Sequence, residues 1–203
     1  MTFPRFTLIV TVAVLFIHVT GCSVLKPQAD LTQFYVLRSQ PAAKGASVDR
    51  ASLQIRVGPG RVATYLEKTP IVVEQGPNRV EYLDLYRWAE LPSKGISRVL
   101  SENLATRLNG ASLTVYPDPA PFAEGYELRY AVERFEGTVS GPVTLEVSWQ
   151  WVQRQSSAVV ANKRSTYTIP SQKASNEVSA YVNRLSTAVA QWADEVAAAI
   201  PKS

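Results

Sequence analysis

Apolar and polar residues alternate most regularly in the second half of the chain. The segment from 143 to 151 places Val143, Leu145, Val147, Trp149 and Trp151 on one face and Thr144, Glu146, Ser148 and Gln150 on the other. A period of two predicts a half-buried β-strand. Residues 159–169 (VVANKRSTYTI) predict its antiparallel partner. The two tryptophans are expected in the core, with a lipid-facing groove as the alternative.

Shorter apolar runs predict six further strands. They are bounded by glycine, proline and asparagine, the residues that favour turns. Residues 52–62 alternate until Gly58-Pro59-Gly60, where we expect a turn or bulge, and Gly76-Pro77-Asn78 predicts a hairpin turn. The predicted strands cover residues 34–38, 52–62, 70–74, 79–88, 112–116 and 126–132.

Two segments have a helical period instead. The first has apolar residues at Ile96, Val99, Leu100, Leu104 and Leu108, and the sequence predicts Ser93 as its N-cap and Asn109-Gly110 as its end. The second follows Ser175, with an apolar stripe at Val178, Tyr181, Val182, Leu185, Val189, Trp192 and Val196. The order of elements predicts an α+β fold: a largely antiparallel or mixed sheet, covered on one face by two amphipathic helices.

The N-terminus has the pattern of a secretory signal. Residues 1–6 contain a single charged residue, Arg5, and residues 7–17 (TLIVTVAVLFI) are apolar apart from two threonines. Such a run is too short to span a bilayer of roughly 30 Å. Val19-Thr20-Gly21-Cys22 then resembles the bacterial lipobox.

That resemblance implies a lipoprotein signal peptide at 1–21 and a lipidated tether at 22–32. The single α+β domain then covers 33–203. Cys22 would carry a covalent diacylglycerol and an N-acyl chain, and no other cofactor is expected. Ser23 rather than aspartate after the cysteine implies the outer membrane, facing the periplasm. An ordinary buried cysteine is the alternative.

Composition narrows the chemistry further. The whole chain has 21 basic and 17 acidic residues, a net charge of +4, and neither a dense basic block nor a basic helix face that would indicate nucleic acid. Loss of residues 1–21 would remove the only histidine, His18, and acylation would consume the only thiol. Histidine-based hydrolase triads and histidine or cysteine metal sites are then excluded, and no metal site is expected. A hydrolase that uses carboxylates alone, such as Glu81, Asp84 or Glu90, stays open.

Several short motifs, in order, resemble one family. They are Phe34-Tyr35-Val36-Leu37, Val57-Gly58-Pro59, Tyr65-Leu66, Pro70-Ile71-Val72, Arg87-Trp88-Ala89-Glu90 and, in the first helix, Asn103-Leu104. The chain resembles the PqiC/YmbA-like lipoproteins, which are auxiliary components of ABC-type transport systems that work with MCE-domain proteins. The likeness runs from the lipobox to about residue 108. Leu91-Pro92 departs from the family, where proline precedes leucine, and the departure falls at the predicted start of the helix.

The resemblance implies a non-catalytic accessory of lipid transport between the two membranes of a Gram-negative envelope. The lipoprotein would dock an MCE-domain partner at the outer membrane, and a homo-oligomer is left open. An envelope scaffold without a role in lipid transport is the alternative function.

The candidate partner-binding residues lie in two segments. Arg87, Trp88 and Glu90 occupy a predicted strand-to-helix junction, and tryptophan and arginine are frequent interface anchors. Tyr65 and Leu66, shortly after the Gly-Pro-Gly break, are interpreted as an exposed loop with an aromatic contact, and a purely structural role is the alternative. The alternative reading places Trp88 in the core and pairs Arg87 with Glu90 or a neighbour.

Overall fold

The computed structural model describes residues 29–42, 47–119, 121–171 and 174–201. The predicted signal peptide and Cys22 lie outside these ranges, as does most of the tether. Residues Thr32–Ser203 form one compact unit. Its strands are β1 (Gln33–Tyr35), β2 (Val48–Asp49), β3 (Gln54–Val62), β4 (Pro70–Gly76), β5 (Arg79–Trp88), β6 (Leu108–Asn109), β7 (Ser112–Val115), β8 (Tyr126–Gly137), β9 (Val143–Gln153) and β10 (Val159–Ile169), and its helices are α1 (Pro92–Arg107) and α2 (Glu177–Ala199).

A mixed five-stranded sheet forms the largest layer, in the order β10-β9-β8-β3-β7. Strands β8, β9 and β10 are antiparallel neighbours, whereas β3 lies parallel to both β8 and β7. Trp149 and Trp151 of β9 are 4% and 0% exposed, so the core prediction for them is confirmed and the lipid-facing alternative is wrong. The α+β class with a mixed sheet is likewise confirmed.

Both helices pack on one face of this sheet and against each other. Helix α1 contacts β3 and β7, and α2 contacts β9 and β10. In α2 the side chain of Asn176 caps the first turn by accepting a hydrogen bond from the Ser179 backbone N–H at 2.9 Å. The ring of Trp192 meets Tyr130 of β8 edge-on, with centroids 5.0 Å apart. The predicted pair of covering helices is therefore confirmed.

Helix α1 begins earlier than its apolar period indicates. Leu91 is its N-cap residue, without a side-chain hydrogen bond, and Pro92 is its first residue. The prediction of Ser93 as N-cap is wrong. Proline at the first helical position lacks only an N–H that would be unpaired there in any case, which explains the early start.

Two smaller sheets complete the fold. Strands β1, β5 and β4 form a three-stranded sheet, with β1 parallel and β4 antiparallel to β5, and β2 and β6 form a short parallel pair. The predicted strand at 34–38 is reduced to β1, which ends at Tyr35. Tyr181 of α2 donates a hydrogen bond to the Val72 carbonyl in β4 at 2.7 Å, joining helix and small sheet.

Strand β3 continues through Gly58-Pro59-Gly60, where the pairing with β8 shifts register. Gly58 has a φ of 101°, a conformation that favours glycine. At Gly60 an added Cβ would stand 2.1 Å from Cζ of Tyr130, so the tyrosine ring occupies the space that a side chain would need. The run is therefore a bulge inside a strand, one of the two outcomes expected.

Candidate partner-binding site

The junction between β5 and α1 holds three of the candidate residues. Trp88 is buried, at 7% exposed, and its backbone N–H donates to the Thr69 carbonyl at 2.8 Å. Arg87 is exposed, and its Nε donates to the Asp84 carbonyl at 3.1 Å. Trp88 therefore fixes the end of β5 in the core, and Arg87 presents a cation beside it.

Glu90 is committed to an ion pair with Arg98 of α1 rather than with Arg87. The same guanidinium donates to the Leu37 carbonyl at 3.1 Å and to Glu102 at 3.0 Å. The hydrogen bond to Glu90 is the largest of the effects that raise the pKa of Arg98 above its ordinary value. Arg98 of α1 thus ties Glu90 to the segment after β1.

The candidate residues of the β3–β4 turn are less exposed than expected. Leu66 is 2% exposed and belongs to the core, so the expectation of an exposed loop is wrong for it. Tyr65 is half-buried, and its hydroxyl donates to Oε2 of Glu136 at 2.8 Å. Burial, followed by the bond to Glu136, raises the pKa of Tyr65 above its ordinary value, so the phenol stays protonated.

Glu67 joins the two candidate segments. One of its carboxylate oxygens accepts a hydrogen bond from Ser93 Oγ at 2.6 Å, and the other accepts from the Ser93 backbone N–H at 3.2 Å. Helix α1 has no acidic residue in its own first turn, and its N-cap side chain makes no hydrogen bond. The carboxylate of Glu67, from the β3–β4 turn, therefore caps the N-terminus of α1.

Sequence reasoning missed both Glu67 and Arg98. The missing acidic residue in the first turn of α1 was a usable signal, because an uncapped helix start needs acceptors from elsewhere. Nothing in the spacing of residues, however, indicated that they would come from Glu67, which lies 26 positions before Ser93.

The surface next to the junction is partly apolar. Phe34 of β1 is 63% exposed and stands opposite Arg87 in the register of β1 and β5, while Leu85, two residues before Arg87, is 49% exposed. We call Phe34, Leu85 and Arg87 the β1–β5 surface. Exposed aromatic and aliphatic side chains beside an arginine form the composition that protein interfaces favour.

The carboxylates of the open hydrolase reading do not form a buried pair. Glu81 and Asp84 are exposed on β5, and Glu90 is bound to Arg98. Within the described ranges, no group of acidic, histidine or cysteine side chains could hold a metal ion. Neither helix of the described part is long and apolar enough to cross a membrane.

Residues 35–197 match the family of the ABC-type transport auxiliary lipoprotein component, and the chain belongs to that family. The resemblance to the PqiC/YmbA-like lipoproteins is therefore confirmed. The family is one of transport accessories, not an enzyme family, and its name implies a membrane-anchored place in the cell envelope and association with an ABC transport system.

Two solved structures share the fold. One, of an uncharacterized protein, has 17% sequence identity and a TM-score of 0.68, over 82% of this chain and 97% of that chain. The other, a Xanthomonas campestris protein of the DUF330 family, has 16% identity and a TM-score of 0.64, over 82% of this chain and 93% of that chain. No curated protein sequence matches the chain.

Proposed function

We propose that this protein is the outer-membrane lipoprotein of an ABC transport system that moves lipid through an MCE-domain protein, and that it docks that protein without catalysing a reaction. The family match over residues 35–197 carries the proposal, because it makes the protein a transport accessory. The energy source and the passage for lipid would then lie in partner proteins.

The lipid anchor is the second part of the proposal. Acyl chains on Cys22 would contribute about 0.8 kcal/mol for each buried methylene, and two chains already suffice for stable attachment. Ser23 favours the outer membrane. Ten residues, 23–32, separate Cys22 from β1, and a chain of that length reaches at most roughly 40 Å. The domain would stay close to the membrane that holds it.

The β1–β5 surface is the docking site that the described residues favour. Phe34 and Leu85 offer apolar area that leaves water on binding, and Arg87 adds a charged anchor. Trp88 is buried directly after Arg87, so the strand that carries the surface is fixed before a partner binds. A fixed surface loses little conformational freedom on docking.

The test is purification of the tagged lipoprotein from native membranes in mild detergent, with co-purifying proteins identified by mass spectrometry. The expected result is enrichment of an MCE-domain protein, with much less from Cys22→Ala, because that variant leaves the membrane. Phe34→Ser with Arg87→Ala is expected to lower the enrichment while the lipoprotein remains anchored.

The control is Val159→Ser with Val160→Ser, which removes apolar residues that are 51% and 38% exposed on β10, an edge strand of the five-stranded sheet. This variant is expected to retain the partner. If other envelope proteins co-purify and no MCE-domain protein does, the proposed role in MCE-dependent lipid transport is refuted. An envelope scaffold whose loss leaves lipid composition and detergent sensitivity normal would then describe the protein.

A further inference from the structure

The five-stranded sheet has an open face, opposite the helices, and this face contains a hollow of about 650 Å³. Its volume falls within the range of small-molecule sites, which is about 300 to 1,000 Å³. Residues of β3, β8, β9 and β10 line it. None of the candidate partner-binding residues and none of the candidate catalytic carboxylates lines it.

Strand register explains why the face is concave there. Arg61 of β3 is opposite Ala131 of β8, Ala131 is opposite Ser148 of β9, and Ser148 is opposite Arg164 of β10. Paired residues project to the same face, so these four form one row across the sheet. The small side chains of Ala131 and Ser148 make the floor, and an arginine stands at each end.

A second row supplies further polar groups. Arg129 of β8 is opposite Gln150 of β9, and Gln150 is opposite Asn162 of β10. All three line the hollow. The hollow therefore combines three guanidinium groups with two side-chain amides, and no carboxylate side chain is among its lining residues.

The positive charge is only partly neutralised by neighbours. Arg61 is exposed and makes no ion pair within the described part of the chain. Arg129 and Arg154 share a single carboxylate, that of buried Glu127, at 2.6 and 3.2 Å. Arg164 is paired with both Glu133 and Glu146, and Glu133 also accepts a hydrogen bond from Ser148 of the floor at 2.8 Å. An excess of positive charge therefore remains at Arg61 and beside Arg129.

From this arrangement we propose that the hollow binds a phosphate monoester or diester, the group shared by phospholipid headgroups and free polar phosphates. Guanidinium groups match phosphate oxygens with paired hydrogen bonds, and Asn162 and Gln150 can donate to the remaining oxygens. Cations from three different strands that line one hollow suit a compact anion. An acidic peptide would instead be expected to pair along an exposed strand edge.

The experiment is isothermal titration of the purified full chain in non-ionic detergent at physiological salt. The probes are glycerol 3-phosphate, dihexanoyl phosphatidylglycerol and a short polyglutamate. We expect both phosphate probes to bind and polyglutamate to bind at least about tenfold more weakly. Equal affinity for the two phosphate probes would assign the site to phosphate itself, and tighter binding of the lipid would assign it to a headgroup.

Three variants distinguish phosphate binding in the hollow from a general effect of the protein's net charge. Arg61→Glu is expected to weaken phosphate binding by about tenfold or more, because it removes one charge-assisted contact and adds repulsion. Arg79→Glu makes the same charge change in the β4–β5 hairpin and is expected to leave affinity within about twofold. Ala131→Leu fills the floor without a change of charge and is expected to abolish binding.

The proposal is overturned if no phosphate probe binds, if Arg61→Glu and Arg79→Glu weaken binding equally, or if polyglutamate binds more tightly than both phosphates. Circular dichroism of each variant checks that the fold is retained. If Ala131→Leu does not fold, the comparison of Arg61→Glu with Arg79→Glu still tests whether phosphate binds in the hollow. None of these readouts depends on an MCE-domain partner. The phosphate-binding proposal can therefore be refuted while the docking proposal holds, and the docking proposal can be refuted while phosphate binding holds.

Discussion

The link between Glu67 and Ser93 makes a prediction about the stability of the candidate site. Glu67→Ala removes both hydrogen bonds that the turn provides to the start of α1, at 2.6 and 3.2 Å. The helix has no substitute, because its first turn contains no acidic residue and its N-cap side chain makes no hydrogen bond. The variant should therefore be less stable, and the turn should separate from the helix more readily.

The size of the effect follows from two contributions. Loss of a side-chain cap typically costs about 1 kcal/mol. Loss of a negative charge at a helix N-terminus costs a further amount of about 0.3 to 1 kcal/mol. We expect Glu67→Ala to lower the free energy of unfolding by about 1.5 kcal/mol, and Glu67→Gln, which keeps an acceptor, by about half as much. Ser93→Ala removes only the hydroxyl bond and should resemble Glu67→Gln.

The assay is urea unfolding followed by tryptophan fluorescence, with the double variant Glu67→Ala, Ser93→Ala completing a thermodynamic cycle. Because the two residues contact each other, the losses should be less than additive. The conclusion that Glu67 caps α1 would be refuted if Glu67→Ala were as stable as the wild type. It would also be refuted if the losses of unfolding free energy in the two single variants added up strictly in the double variant.

Three further predictions concern the core and the helices. Asp194→Ala leaves the guanidinium of Arg107, which is 1% exposed, without the carboxylate that it contacts at 2.5 Å, and should lower the free energy of unfolding by about 2 kcal/mol. Gly60→Ala places a Cβ 2.1 Å from the buried ring of Tyr130 and should cost about 1 to 3 kcal/mol in the same urea assay. Burial alone would raise the pKa of Glu195, but hydrogen bonds to its carboxylate outweigh burial and hold the pKa below its ordinary value of about 4.5. The free energy of unfolding should therefore fall as the pH falls below about 4.5, because the folded protein then resists protonation of this carboxylate. Glu195→Gln should flatten that part of the pH profile.

Each of these predictions has a control or a contradicting result. Glu102→Ala removes a carboxylate that is 43% exposed, as Asp194 is, but its partner Arg98 is 37% exposed, so the loss should be about 0.5 kcal/mol. Equal losses for the two acids would show that burial of Arg107 is irrelevant. Unchanged stability of Gly60→Ala would contradict the close packing, and a pH profile of Glu195→Gln that matches wild type would contradict the lowered pKa.

Local pattern predicted strand limits best where a turn residue adjoins the strand. Strands β5 and β10 have the predicted limits: β5 begins directly after the Gly76-Pro77-Asn78 turn, and β10 ends directly before Pro170. The start of α1 was misplaced because proline begins the helix and the cap comes from Glu67, a tertiary contact that no local period encodes.

The surfaces depend on pairings that the sequence does not display. Phe34 lies beside Arg87 only because β1 is parallel to β5, and Arg61 shares a row with Arg164 only because β3 pairs with β8. Parallel pairing joins segments that are distant along the chain, so the sequence alone does not show which residues lie opposite each other in these sheets. Arg87 was predicted as a site residue from its position before a helix, whereas Phe34 and Leu85 were not distinguished from core residues.

The most direct test of the docking proposal is photocrosslinking in living cells from a benzoylphenylalanine placed at Phe34. The same group placed at Val159, which is 51% exposed, serves as the control. The proposal predicts a crosslinked product from Phe34 that contains an MCE-domain protein, and no such product from Val159. A product from Val159 alone, or a Phe34 product that contains only other envelope proteins, would contradict the proposal that the β1–β5 surface docks the transport partner.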